Sequence, residues 1–274
     1  MSLLPPNKMT WSYRSRALGL AVGLALVAGS VSAQTSTNNV DTNAVNALRR
    51  MGTYLRSLKQ FEVDANATRD EVTANNEKVQ VAGTVQYLVR VPNMLRADIR
   101  TDRKQRQIFY DGKSLTVFAP RMHYYATVPA PPTIHETLDS ASKRLGIEFP
   151  LVDLFLWGTP NDGVKDLTSA RYIGPAYVDG SDTDQYAFRE KGADWQLWIQ
   201  RGNTPLPKRI VITTTSNAAL PQYAATLKWT LTSKFNDGEF AFVPPKGTER
   251  ITFTSEYGRS DAQSAPAGRS RGEP

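Results

Sequence analysis

Hydrophobic and polar positions follow a regular pattern along this 274-residue chain, and the pattern begins with a helical period. Apolar residues recur at steps of four and three at Ala44, Leu48, Met51, Leu55 and Leu58. This spacing predicts an amphipathic helix, which Asp41 or Thr42 can cap. We expect its apolar stripe to pack on a core, and a membrane surface is the alternative partner for such a helix.

After this helix the period changes to two, which is typical of strands with one apolar face. The strand-like segments are 61–68, 79–90, 95–100, 107–110, 114–118, 124–128, 170–178, 185–191, 195–200, 208–215, 222–235, 240–243 and 250–254. Turn signals such as Pro92-Asn93 and Asp111-Gly112 separate neighbouring strands. Consecutive strands joined by short turns are predicted to form one antiparallel sheet.

Two more helices are predicted between the two groups of strands. Thr133 and Glu136 have the spacing of a capping box, and Gly146 can end the helix that they begin. Pro150 can open a short second helix over residues 151–157, which is apolar nearly all round. The predicted fold class is α+β, because the apolar face of the sheet must be covered and these three helices can cover it.

The first 33 residues have the features of a secretory signal peptide. Lys8, Arg14 and Arg16 precede an apolar run at 17–28, which is too short to span a bilayer comfortably. Val31-Ser32-Ala33 has the small-x-small form of a cleavage site, so Gln34 is the predicted first residue after export to the periplasm. An uncleaved membrane anchor is the alternative. The predicted organisation is a signal peptide at 1–33, a single domain at 34–257 and a disordered tail at 258–274.

Composition excludes several classes of function. The chain contains no cysteine, which rules out cysteine nucleophiles, cysteine zinc sites and a lipid-anchored cysteine at the cleavage site. The net charge of +7 falls to +4 without the predicted signal peptide, which carries three basic residues and no acidic one, so no nucleic-acid partner is predicted. The two histidines, His123 and His135, lie in no recognisable hydrolase or metalloprotease motif. We predict no catalytic residues, no metal site and no cofactor.

Two motifs give the chain a family resemblance. Pro92-Asn93-Met94-Leu95 is followed by Asp-Gly-Lys-x-Leu and a Pro at 111–120, and Phe-x-Phe-x-Pro-Pro-x-Gly occurs at 240–247. In this order they resemble the LolA/LolB-like superfamily of periplasmic lipoprotein carriers and outer-membrane lipoprotein receptors. Within it, the chain is most similar to an uncharacterised family of predicted periplasmic proteins, over roughly residues 40–255. The resemblance implies an unclosed antiparallel β half-barrel of about 11 strands, with helices on its concave face.

One residue departs from the carrier pattern. The carriers place an arginine directly before Pro-Asn, where it ties the helical lid to the sheet. Here that position holds Val91, and Arg90 lies one residue earlier. One step along a strand reverses the face, so the carriers' latch is not expected here and lipoprotein carriage is not implied.

In the carriers, the cavity under the helices holds acyl chains, and burial of each methylene releases about 0.8 kcal/mol. The predicted wall residues are Val85, Tyr87, Leu95, Ala97, Leu115, Val117, Trp195, Leu197, Leu227 and Trp229. The predicted lid residues are Leu151, Leu154, Phe155 and Trp157. The alternative is that these side chains fill a core and bind nothing. Trp198 is predicted on the other face of its strand, either covered or open to a partner.

The predicted function is that of a soluble periplasmic protein, without enzymatic activity, that carries or senses a hydrophobic ligand such as a lipid or acyl chain. The alternative is a module of the cell envelope that uses the sheet as a docking surface, with an envelope protein as partner. A transient membrane contact is compatible with either function.

Overall fold

The computed structural model describes residues 39–253. The predicted signal peptide at 1–33 and the predicted tail at 258–274 lie outside this range. Three α-helices are present in the described range: α1 (Thr42–Ser57), α2 (Ile134–Leu145) and α3 (Asp153–Leu156). None of the helices between residues 39 and 253 is long and apolar enough to cross a membrane.

Twelve strands form one sheet. They are β1 (Gln60–Val72), β2 (Lys78–Arg90), β3 (Met94–Thr101), β4 (Gln105–Tyr110), β5 (Ser114–Ala119), β6 (Tyr124–Pro129), β7 (Ser169–Val178), β8 (Ser181–Glu190), β9 (Ala193–Gln200), β10 (Pro207–Thr214), β11 (Gln222–Thr230) and β12 (Glu249–Arg250). Their order in the sheet is β12-β6-β5-β4-β3-β2-β1-β11-β10-β9-β8-β7.

This order follows from two meanders joined by one long-range pair. β1 to β6 pair consecutively, β7 to β11 pair consecutively, and β11 lies antiparallel to β1. β12 runs parallel to β6 and is the exception to the antiparallel prediction. Because β12 and β7 lie at opposite ends of the order, the sheet is an unclosed half-barrel, as the motifs implied.

The core lies between the concave face of the sheet and the helices. The stripe on α1 is buried at Ala44, Leu48, Met51 and Leu55, and the Asp41 side chain accepts a hydrogen bond from the backbone N–H of Asn43 at 2.8 Å. These four residues belong to one hydrophobic cluster with the inner-face residues of the strands. The helix therefore covers the sheet, which is the core-packing arrangement that its spacing favours.

The end of the chain differs from the prediction. The strand predicted at 222–235 stops at Thr230, and the strand predicted at 240–243 is absent: Phe240 instead follows the 3₁₀ turn Asp237–Glu239. The chain crosses the convex face here, where Phe242 packs against three aromatic rings at centroid distances of 5.1 to 5.3 Å. In this segment aromatic side chains are buried on the convex face, and the backbone does not pair as a strand. An alternating pattern alone cannot distinguish these two arrangements.

Arg90 holds this crossing segment to the convex face. Its guanidinium donates to the carbonyl oxygen of Phe235 at 3.1 Å, forms an ion pair with Asp237 and lies 5.4 Å from the ring centroid of Phe240. Arg90 therefore contacts the face opposite to the helices, as its one-residue offset from the carrier pattern predicts. Trp198 also lies on this face, where Val178, Val211 and the Arg209 guanidinium cover it.

Candidate ligand-binding site

The inner-face side chains of the central strands become smaller over three successive rows. Residues directly opposite each other on antiparallel strands share a face, so each row across β11, β1 and β2 can be read from the register. Successive rows are Trp229–Val63–Tyr87, Leu227–Ala65–Val85 and Ala225–Ala67–Gly83. Gly83 is required in the third row, because a Cβ there would lie 2.3 Å from the backbone oxygen of Arg100. The small side chains of this row leave space above the sheet before the next row, Tyr223–Arg69–Val81.

A cavity of about 460 Å³ occupies this end of the concave face, within the range of about 300–1,000 Å³ that is usual for small-molecule sites. Its apolar wall consists of Ala67, Val81, Val85, Ile99, Phe149 and Pro150. We call the charged rim of the cavity its mouth. The residues of the mouth are Arg69, Glu71, Arg100, Arg103, Lys104, Arg106 and Glu148. The site thus combines an apolar interior with a predominantly cationic opening.

The cavity is covered by the loop at 146–152, which connects α2 to α3. Phe149 is buried, and the hydroxyl of the fully buried Tyr87 donates to the carbonyl oxygen of Pro150 at 2.6 Å. Leu151 has a φ of 58°, in the left-handed region. The predicted helix at 151–157 therefore begins only at Asp153 and is shorter than its apolar pattern suggested.

Helix α3 is held by α1 and not by a strand arginine. The Arg56 guanidinium donates to the carbonyl oxygens of Leu154 at 2.6 Å and Phe155 at 3.2 Å, which otherwise end the short helix without partners. Close backbone packing adds to this contact: a Cβ on Gly52 would lie 2.6 Å from the backbone nitrogen of Gly158. Arg56 was not predicted as a lid contact, because its position off the apolar stripe is equally typical of a solvated side chain.

The structure places the predicted wall and lid residues in one continuous cluster. Val85, Tyr87, Leu95, Ala97, Leu115, Leu151, Leu154, Phe155, Trp157, Leu197 and Leu227 are buried, while Val117, Trp195 and Trp229 are partly buried against them. Among them, Val85 also lines the cavity. Several others are packed against the protein itself: Tyr87 meets Phe155 edge-on with ring centroids 5.4 Å apart, and Trp229 Nε1 donates to the carbonyl oxygen of Pro207 at 2.8 Å.

Tyr223 is the polar group that faces the apolar part of the site. It lies opposite Arg69 on the inner face, and its buried hydroxyl has no hydrogen-bond partner among residues 39–253. Burial raises the pKa of Tyr223, so the hydroxyl keeps its proton at neutral pH and can donate to a bound molecule. A buried hydroxyl without a partner is costly, which favours a site that a ligand or water completes.

Acidic groups lie near the inner side of α3. Burial raises the pKa of Asp153, and it raises the pKa of Glu190 as well, to which repulsion from Asp153 and Asp166 adds. Asp153 also contributes to the raised pKa of Tyr223, after the larger effect of burial. Acidic groups with raised pKa values therefore lie beside α3, whereas cationic residues predominate at the mouth.

Sequence reasoning missed the mouth, although a signal for it exists. Arg69 continues the inner-face register of Val63, Ala65 and Ala67, and Arg106 lies opposite the inner-face residue Ile99. An arginine in the apolar register at the end of a strand therefore indicates an open, wet end of the concave face.

Comparison with known proteins identifies a family match. A family model described as "Predicted periplasmic protein (DUF2092)" matches residues 44–254. No curated protein matches the chain.

Solved structures with similar arrangements come from several bacteria. Lipoprotein LppX of Mycobacterium tuberculosis has a TM-score of 0.44 at 10% identity, over 72% of this chain and 100% of that one. An uncharacterized conserved protein of Thermus thermophilus has a TM-score of 0.43 at 11% identity, over 77% and 99%. The LolA superfamily protein NE2245 of Nitrosomonas europaea has a TM-score of 0.35 at 14% identity, over 73% and 97%.

Proposed function

The chain belongs to the DUF2092 family of predicted periplasmic proteins, and from this premise we propose that it binds the acyl chain of a lipid or acylated molecule in the cavity and carries or senses that ligand. No catalytic step is part of the proposal.

The observation that carries the proposal is the cavity itself. An apolar wall that includes Val85, Ile99 and Phe149 lines an open space next to the buried hydrophobic cluster. Each methylene that moves from water into such a wall releases about 0.8 kcal/mol, so a chain of several carbons can offset the entropy lost on binding. Water alone would gain nothing from these apolar side chains.

The proposed position differs from the one that the sequence favoured. The ligand lies beside Val85 and under the loop at 146–152, whereas Trp157 and Trp229 pack within the protein. Trp157 is only 5% exposed, so its replacement by Asp would place a carboxylate in the core and test folding instead of binding. Substitutions at the cavity wall are the informative ones.

The test is native mass spectrometry of the protein exported to the periplasm and purified without detergent. The proposal predicts a population with a bound lipid-sized mass, and organic extraction should recover an acyl-containing molecule from it. A ligand-free mass in repeated preparations, together with no binding of a dansyl-labelled fatty acid, would overturn the proposal.

A second candidate function is protein docking at the edge of the sheet formed by β7, which has only one neighbouring strand among residues 39–253. Residues 39–41 bond to this edge only at Ala170, and beyond it Ile173 is 49% exposed and Tyr177 71% exposed. A strand edge with apolar side chains can accept an extended segment of another protein. In-cell cross-linking from position 177 tests this: a discrete adduct that disappears in an Ile173→Lys background supports docking, and no adduct counts against it.

A further inference from the structure

The mouth of the cavity contains more cationic than acidic residues. Five cationic residues and two acidic residues line the mouth, and the interior behind them is mainly apolar, with a buried tyrosine hydroxyl that has no partner among residues 39–253. We propose that the mouth binds the anionic headgroup of the molecule whose acyl chain fills the cavity, so that the ligand is an anionic amphiphile. This inference rests on the proposed function and specifies its ligand class.

Arg106 is the first residue that supports a headgroup site. It pairs with Ile99 across β3 and β4, and it therefore shares the face on which the apolar wall lies. Its side chain has no hydrogen-bond or ion-pair partner within the described part of the chain, and Lys104 in the adjoining turn likewise has none. Both cations are available to a ligand.

Arg69 and Arg103 are held in place on the other side of the mouth. Glu71 accepts a hydrogen bond from Arg69 at 2.5 Å through one oxygen and from Arg103 at 3.3 Å through the other. The hydrogen bond from Arg69 lowers the pKa of Glu71, which keeps this bridge ionised at neutral pH. Each guanidinium carries five N–H donors, so both retain donors for a ligand after these contacts.

Tyr223 connects the cationic mouth to the apolar wall. It pairs with Arg69 across β11 and β1, and its hydroxyl is buried without a partner among the described residues. A carboxylate or phosphate oxygen between Arg69 and Tyr223 would receive a charge-assisted hydrogen bond and satisfy the hydroxyl. A neutral headgroup would supply no counter-charge to Arg106 and Lys104.

A carboxylate and a phosphate meet these requirements equally, because a guanidinium binds either with parallel hydrogen bonds. The carboxylate would come from a free fatty acid and the phosphate from a lysophospholipid. Three ligands with the same saturated chain separate the possibilities: myristate, myristoyl lysophosphatidylglycerol and monomyristoylglycerol, the last of which is uncharged. Isothermal titration calorimetry measures each below its critical micelle concentration.

We expect the anionic ligands to bind about tenfold more tightly than the monoglyceride, the effect of one or two partly exposed charge-assisted contacts. Arg106→Gln and Arg69→Gln should each reduce that advantage by about threefold and leave monoglyceride binding unchanged. The matched control is Arg49→Gln on the exposed side of α1, which should change neither. Added salt should weaken only the anionic ligands.

Either anionic ligand alone, or both, binding in this way supports the inference and identifies the headgroup. Equal affinity for all three ligands, or an anionic advantage that survives both arginine substitutions, would overturn it while leaving acyl-chain binding intact. Failure of all three to bind would instead overturn the proposed function and the inference together.

Discussion

Ala67→Phe should block the cavity without damage to the fold. Ala67 lies in the inner-face row of small residues, between Gly83 and Ala225, and it lines the cavity. A phenyl ring at this position enters the volume of about 460 Å³ where the acyl chain is proposed to lie. The substitution adds apolar surface to an apolar wall, so the core need not rearrange.

The expected loss of affinity can be worked out from the methylenes displaced. If the ring takes the place of about four methylenes, at about 0.8 kcal/mol each, binding weakens by about 3 kcal/mol, which is a factor of about 200 in Kd. The free energy of unfolding should stay the same or rise, because burial of the ring contributes up to about 1.5–3 kcal/mol. A loss of binding with unchanged stability distinguishes a blocked site from a misfolded protein.

Fluorescence titration with a dansyl-labelled fatty acid measures the affinity, and urea unfolding measures the stability. Asn66→Phe is the matched control, since it places the same side chain one residue earlier on the exposed opposite face of β1. The control should bind the probe with wild-type affinity. Wild-type affinity in Ala67→Phe as well would refute the placement of the ligand in this cavity.

Three further substitutions test the parts that hold the site. Arg56→Ala removes two charge-assisted hydrogen bonds to α3. It should lower the free energy of unfolding, measured by urea titration, by about 1–2 kcal/mol after allowance for the partial exposure of Arg56. The control Arg49→Ala should lower it by less than about 0.5 kcal/mol. Tyr87→Phe leaves the Pro150 carbonyl unpaired and should cost about 1 kcal/mol, and an unchanged urea midpoint would contradict this contact. Burial raises the pKa of Asp153 above its value of about 4 in the unfolded chain, so the folded state binds this proton more tightly. The free energy of unfolding of the wild type should therefore fall as the pH rises from about 4 through the raised pKa. Asp153→Asn should show a flatter pH profile in thermal melts, and identical profiles for the two proteins would contradict this prediction.

The elements with local signals could be predicted from the sequence. The spacing from Ala44 to Leu55 specified α1. Thr133 accepts from the backbone of Glu136 at 3.2 Å, and Gly146 adopts the left-handed conformation that ends α2. Hairpin turns and alternation specified the meanders, and the motif pair identified the family. These signals work because helix caps, turns and face alternation depend on residues close together in the sequence.

The position of the site could not be predicted in the same way. Alternation assigns Tyr87, Trp229 and Ala67 to one face, but it does not state which of them a helix covers. Which residues are covered depends on the position of the loop at 146–152. In this loop Leu151 has a left-handed backbone conformation, which its apolar side chain does not predict. Phe240 shows the same limit, because an apolar residue that packs across a sheet and one that lies within it give the same pattern.

The most direct test of acyl-chain binding is the dependence of affinity on chain length. Saturated fatty acids of increasing length, titrated by calorimetry into the wild-type protein, should bind about fourfold more tightly for each added methylene, which is about 0.8 kcal/mol, until the cavity is full. The same series should show no such gain in Ala67→Phe. An affinity independent of chain length in the wild type would mean that the chain stays in water, and it would contradict a binding function for the cavity.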